Sequence, residues 1–333
     1  MTSTACSFCT LVQDFFCQRL LAQQNASPQT VTSYRDTFRL FLGYAQRRTG
    51  KPPTALGLTD IDAPLVLGFL DHLERERGNS VRTRNARLTA IRSFLHYAAH
   101  RDPSSLQIIE RVLAIPVKRY ERPLLDALSR EEIEAILAAP DISTRSGHRD
   151  HVLLATLYNT GARVSEITAA RVADAQLGRG PCLRIHGKGR KQRVVPLWRA
   201  TAAHLREWLA RTRLPAEAPL FPNCNGQPMT RSGVADRLRT VVATATKHCP
   251  SLKGHRISPH TVRHTTALHL LQSGVDITVI ALWLGHESPA TTHLYIEADM
   301  KMKQQVLRKL APPSTHGARF RPSDRLLAFL EAL

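Results

Sequence analysis

The sequence predicts a mainly α-helical protein with one small antiparallel β-sheet, arranged as a helical domain followed by an α+β domain. Three observations carry that reading. Apolar residues recur three and four apart through most of the 333 residues. Only Leu183 to Leu197 alternates in strand fashion instead, on both sides of Gly187-Lys188-Gly189, which predicts a β-hairpin with a lysine in its turn. Residues 116–125, PVKRYERPLL, set two prolines around a charge-rich centre between periodic segments, the composition of an interdomain linker.

In chain order, Leu11 to Gln24 carries Leu11, Phe15, Phe16, Leu20 and Leu21 at helical spacing. After Ser27-Pro28, Thr30 to Gln46 repeats the pattern with Val31, Tyr34, Phe38, Phe41 and Leu42, and Lys51-Pro52-Pro53 breaks it. A third helix is expected from Pro64 to Glu76, ending at Gly78. A fourth opens at Asn79 or Ser80 and runs to about Ala99, burying Leu88, Ile91, Leu95 and Ala98. Its second face carries Arg82, Arg84, Arg87 and Arg92 with Asn85 among them. Such a face suits phosphates and the major groove, because arginine grips a phosphate or a guanine edge with two donors; a merely solvated face is the plainer reading.

Beyond the linker, Ser129 opens SREEIEAIL with Glu132 three residues on, a capping box. A largely apolar helix runs from Asp150 to Thr160, and TGARVSEI follows it. After the hairpin come helices at Ala200 to Leu209 and Thr230 to about Lys247. Ser258-Pro259 then combines an N-cap with proline at the first helical position and sets His260 and Arg263 on one face. That helix should end at Ser273-Gly274, and Asp276 can cap a further one ending at Gly285. His286 follows directly. Ser288-Pro289 repeats the start signal, and Tyr295 falls on the short helix after it. A lysine-rich helix to about Leu310, a Pro- and Gly-broken segment and the amphipathic ending RLLAFLEAL complete the chain. The ending suits packing on a neighbour or on its own domain.

Composition narrows the partners. Forty-six basic residues against 27 acidic give +19. The pI of 10.5 exceeds the level of about 9 at which nucleic acid becomes the default partner. The six cysteines are scattered and no signal peptide is expected, so they read as reduced thiols of a cytosolic protein. Cys6-x-x-Cys9 has no second ligand pair at a finger-like distance, so no metal is expected there. No run approaches the ~18 apolar residues of a membrane span.

Breaking a phosphodiester without hydrolysis requires a nucleophile on phosphorus, positive charge on the non-bridging oxygens and a proton for the departing oxygen. Arg163, Arg263 and His286 can form the clamp. Tyr295 can attack, Lys188 can protonate the leaving 5′ oxygen, and His260 can take or position the phenol proton. Because the bond energy is kept in a phosphotyrosine, resealing needs no ATP, and the arginines make a metal unnecessary. Each piece also has a plainer reading: a packed helix tyrosine, or an Arg163–Glu166 surface pair worth little. His260 and His264 are spaced like a zincin pair, but Thr261 stands where the protease needs glutamate. The glycine-lysine turn lacks the Walker spacing and precedes a strand. The order and joint presence of all the pieces decide against the plainer readings.

TGARVSEI, GKGRKQRVVPL, HTVRH, LGHESPATTHLY and the basic helical N-terminal region together resemble the tyrosine recombinases, or phage integrase family, over residues 10–305. The resemblance implies a catalytic set of Arg163, Lys188, His260, Arg263, His286 and Tyr295, supported by Glu166 and His264, with no cofactor. It implies a helical core-binding domain of the SAM-like kind at 1–115, the linker at 116–125, an α+β catalytic domain at 126–310, and a tail at 311–333 that reaches a neighbouring protomer. Expected partners are double-stranded DNA with specific recombination sites and a homotetramer, or a mixed tetramer with a related recombinase; no membrane is expected, and the location is cytoplasmic. The chain departs from the family at Thr261-Val262, where an apolar pair is more usual, and in a tail longer than that of the compact Xer-type members. Nothing resembling a separate arm-binding domain precedes the helical region. The expected activity is site-specific strand exchange for integration, excision or transposition of a mobile element. A dimer resolvase of the Xer kind and a non-catalytic DNA-binding accessory protein are the alternatives.

Overall fold

A computed structural model describes residues 7–120, 127–187 and 191–285. Lys188, His286, Tyr295 and the whole tail, together with 121–126 of the expected linker, lie outside the described residues. By internal packing the chain separates into two compact units, Met1–Pro123 and Leu124–Leu333.

Among its described residues the first unit is helical: α1 (Phe8–Asp14) continuing as a π-helical segment (Phe15–Gln23), then α2 (Pro28–Thr49), α3 (Ala63–Arg75), α4 (Val81–Ala99) and α5 (Leu106–Leu113). Punctuation residues act as expected. Ser27, Asp62 and Ser80 each accept a backbone N–H from the first turn, and Gly50 closes α2 in the left-handed region at φ 71°. Where the sequence read an ordinary helix over Leu11–Gln24, the chain widens to i→i+5 bonding from Phe15. Spacing explains it, since the buried residues there are Leu11, Phe15 and Leu20, and the five-residue step returns Leu20 to the core while Leu21 turns outward. Phe15, Phe38 and Phe94 pack edge-on or tilted around that point, with the Phe38 and Phe94 centroids 5.3 Å apart. Helix α5 was not foreseen; it buries only Ile109 and Val112, too short a pattern to stand out.

The second unit runs α6 (Arg130–Ala138), α7 (Arg145–Thr160), α8 (Val164–Ala169), β1 (Ala175–Gln176), β2 (Cys182–His186), β3 (Gln192–Pro196), α9 (Arg199–Thr212), α10 (Arg231–Ala245), α11 (Pro259–Gln272) and α12 (Ile277–Leu284). The Ser129–Glu132 capping box forms as read. The sheet is antiparallel in the order β1-β2-β3, with Leu183 opposite Val195 and Ile185 opposite Arg193. Leu183, Ile185, Val195 and Leu197 turn inward onto a core that includes Leu153, Leu157, Ile167, Leu205, Trp208 and Val262. A buried polar chain ties this unit's entry to two helices. The Leu128 amide donates to Thr265 Oγ1 at 3.0 Å, His269 Nε2 lies 3.0 Å from the Leu128 carbonyl, and Tyr158 Oη lies 2.8 Å from His269 Nδ1. No helix among the described residues is long and apolar enough to cross a membrane.

Candidate active site

The site grows from the junction of α7 and α8. Helix α7 ends at Gly161, whose φ of 58° is left-handed and whose amide donates to the Leu157 carbonyl at 2.8 Å. Glycine is needed here for space as well, because a Cβ would meet Leu284 Cδ2 at 2.4 Å. Two residues on, Arg163 sits at the N-cap of α8. Glu166, at the third helical position, reaches back to the Arg163 amide at 2.9 Å, the acidic half of a capping box placed at the positive end of the helix.

Arg163 Nη1 donates to Glu166 Oε1 at 2.9 Å, and its outer nitrogens make longer contacts of 3.4–3.5 Å to the Gly285 carbonyl. Arg263, only 2% exposed, donates to the Gly161 carbonyl at 2.6 Å and the Leu284 carbonyl at 2.8 Å. Arginines from α8 and α11 thus converge on the last residues of α12, which Asp276 opens and Gly285 closes at φ 66° as the sequence predicted. Carbonyls at a helix C-terminus carry partial negative charge and no intrahelical donor, so guanidinium groups are their natural partners. The next residue in the chain is His286.

Reading the sequence did not single out Arg193, which completes this cluster. On β3 it donates Nη1 and Nη2 to Glu166 Oε1 and Oε2 at 3.2 and 2.8 Å and Nε to the Trp283 carbonyl at 2.9 Å. The signal was present: alternation puts Arg193 on the same strand face as buried Val195, and a charge at an inward position must be paired. Burial opposes ionisation of Glu166, but the Arg193 hydrogen bonds, the Arg163 amide, the Arg193 charge and the Arg163 side-chain hydrogen bond outweigh it, and its carboxyl lies below the usual value. Gly187 also belongs here. A Cβ on it would lie 3.5 Å from Glu166 Oε1, so the residue before Lys188 abuts the carboxylate.

On α11, Ser258 caps the helix by accepting from the Thr261 amide at 3.2 Å. His260 is exposed, and its ring stacks on that of His264 one turn later, with centroids 5.2 Å apart and planes at 16°. Burial, then the charges of His260 and Arg263, push His264 down to about 4, so it is neutral at pH 7. Unfolded histidine binds its proton near 6.5 and folded His264 only near 4, so the unfolded state holds more protons in between. Folding stability is therefore full above 6.5 and falls as pH drops from 6.5 toward 4. Urea midpoints at pH 7.5 and 5 should show that loss, and His264→Asn should shrink it. Part of the slope will remain, because burial also lowers His148 and His204. Equal slopes in the two proteins would remove His264 as a source.

The arginines of the α4 stripe also make hydrogen bonds within the unit. Arg84 is 7% exposed, facing Glu74 at 3.7 Å and donating to Asn85 Oδ1 at 3.2 Å. Arg87 donates to the Ser33 carbonyl and Thr37 Oγ1, and Arg92 to the carbonyls of Leu113 and Ile115. Asn85 exchanges two hydrogen bonds with the Lys118 backbone, at 2.8 and 3.1 Å. Arg82 is exposed, and Asn85, Arg87 and Arg92 are partly exposed. The end of α5 and the segment after it supply the backbone partners of Arg92 and Asn85, and α2 supplies those of Arg87. A basic hollow of about 700 Å³ takes in the stripe's Arg92 and is lined also by Arg19, His96, His100 and Arg101.

Two family models match the chain. Residues 126–302 match the model of the phage integrase family, and 14–102 match that of the phage integrase N-terminal SAM-like domain. A putative integrase/recombinase, y4rC, of Sinorhizobium fredii is 50% identical across 98% of this chain and 98% of its own. The tyrosine recombinase XerC of Pelobacter propionicus is 33% identical over 88% of this chain and 92% of its own. Among solved structures, the Tn1549 transposon integrase in complex with a circular intermediate DNA has the same fold, with a TM-score of 0.68 at 15% identity over 90% of this chain and 99% of that one.

Proposed function

Because the chain belongs to the phage integrase family of tyrosine recombinases, we propose that it cuts and rejoins DNA at specific sites through a 3′-phosphotyrosine on Tyr295. The observation that carries this reading is the convergence of Arg163 and Arg263, from separate elements, on the turn leading to His286. A phosphate bound there meets two fixed positive charges. Each stabilises the extra negative charge of the pentavalent transition state, with no reorganisation at the moment of reaction. Arg263 is locked by two carbonyls, whereas Arg163, with a side chain 36% exposed, keeps donors toward solvent.

Tyr295 attacks phosphorus, the phosphorus–O5′ bond breaks, and Lys188 delivers a proton to the departing 5′ oxygen. His260, exposed on its turn of α11, takes the phenol proton, and neutral His264 supports it through the stacked ring. His286 donates to a non-bridging oxygen. The reverse attack by a 5′ hydroxyl reseals the strand, so neither metal nor ATP enters. Joining two duplexes requires four strands to be cut, which calls for four tyrosines and hence a tetramer on DNA, of this chain alone or mixed with a related recombinase.

We assign residues 1–115 to core binding, 116–125 to the linker, 126–310 to catalysis and 311–333 to docking on a neighbour. The enzyme works on DNA in the cytoplasm, and its role is movement of a mobile element, supported by the identity to the Sinorhizobium integrase/recombinase exceeding that to the Pelobacter XerC. The test is covalent capture. Genomic fragments nicked near their sites, incubated with the protein in EDTA without ATP, should yield detergent-stable adducts at the ends of one element. Capture at a single chromosomal locus would replace the mobile-element role with dimer resolution, and no capture at all would leave only an accessory DNA-binding role.

A further inference from the structure

We infer that Arg193 is a positioning residue for strand cleavage: by bridging Glu166 to the Trp283 carbonyl it holds the C-terminal turn of α12 against α8 and keeps Arg163 available to the phosphate. The inference rests on the recombinase reading, since it concerns how that site is held.

A carboxylate has about four acceptor positions. Those of Glu166 take Arg163 Nη1 and Arg193 Nη1 on one oxygen, and the Arg163 amide and Arg193 Nη2 on the other. Nothing is left for a substrate, so Glu166 holds rather than reacts. Arg193 is equally engaged, with both terminal nitrogens on the carboxylate and Nε on Trp283, and its side chain is mostly buried. It therefore acts through its neighbours.

One carboxylate facing Arg163 alone would neutralise it and fix its guanidinium away from any phosphate. Shared between two arginines, Glu166 leaves a net positive charge in the cluster, and Arg163 is the more exposed of the pair. Trp283, Leu284 and Gly285 are consecutive, and their carbonyls face Arg193, Arg263 and Arg163 in turn. Arg193 comes from β3, so among the described residues it links the hairpin to this turn through a guanidinium. A Cβ on Gly285 would meet Arg193 Nη1 at 2.9 Å and Cζ at 3.3 Å, so the close approach of that side chain also requires glycine at the hinge into His286.

The experiment compares wild type, Arg193→Lys and Arg193→Ala in the full-length protein. Lysine keeps the charge but lacks the planar fork, and cannot satisfy Glu166 and Trp283 together. In Arg193→Lys we expect adduct formation on a nicked site to slow by about 10–100-fold, as for lost outer-shell partners, with DNA affinity within about threefold of wild type. Backbone amides of residues 277–285 should exchange about tenfold faster without DNA. Added guanidinium ion should restore part of the Arg193→Ala rate, which a merely unfolded variant would not allow. Wild-type cleavage and exchange in Arg193→Lys would overturn the inference, as would a cleavage loss that follows a parallel loss of DNA affinity with no guanidinium rescue. If wild type forms no adduct, the recombinase reading fails by itself, and the exchange measurement still decides whether Arg193 holds the turn.

Discussion

Replacing Tyr295 by Phe is expected to abolish the detergent-stable adduct on a nicked site while leaving affinity for that site within about twofold. The substitution removes one oxygen, so contacts to DNA barely change, yet it removes the only atom proposed to bond to phosphorus. Loss of a covalent nucleophile typically costs more than about 10⁴-fold, beyond the reach of the assay. The Leu124–Leu333 unit offers a sharp control, because it holds just two tyrosines, Tyr158 and Tyr295. Tyr158 is unsuited to attack: its hydroxyl is 2.8 Å from His269 Nδ1, and burial raises its pKa above the ordinary value. Tyr158→Phe should therefore retain the adduct. If Tyr295→Phe still forms it, the nucleophile has been misassigned.

Local punctuation was the legible part of this chain. Ser258, Asp276 and Gly285 bound α11 and α12 as read, and Ser129 with Glu132 opens α6, since caps depend on residues a turn away. The hairpin strands were legible for the same reason, through alternation. What stayed hidden depends on partners far along the chain. The spacing of the α4 arginines gives no sign that the carbonyls of Leu113 and Ile115 lie beside Arg92. Arg193 looked like one more basic residue in GKGRKQRVVPL until Glu166, 27 positions earlier, was found bidentate with it. Periodicity reports which face turns inward, but not which distant oxygen waits there. The site residues that fall among the described ones, Arg163, Glu166, His260, Arg263 and His264, occupy α8 and the first turns of α11; Lys188, His286 and Tyr295 lie beyond them, so their roles rest on the motifs.

Arg263 and Arg163 should fail differently when truncated, although both should slow cleavage by about 10²–10³-fold, the typical cost of one preorganised donor. Arg263 is buried and serves the Gly161 and Leu284 carbonyls. Arg263→Ala leaves both without a donor, and unsatisfied buried groups cost about 1–3 kcal/mol each, so a stability loss of roughly 2–5 kcal/mol is expected. Arg163 is more exposed and its carbonyl contacts are long, while Glu166 retains Arg193 if it is lost. Arg163→Ala should therefore cost no more than about 1 kcal/mol, in the range of exposed ion pairs. Urea unfolding beside single-turnover cleavage separates the cases. Arg263→Lys sharpens the contrast, because an ammonium retains the charge but cannot reach both carbonyls in the fork geometry, so much of the stability should return while cleavage stays slow. Equal destabilisation by Arg163→Ala and Arg263→Ala would mean that the two arginines share one structural role, and the division between a locked and an available guanidinium would have to be abandoned.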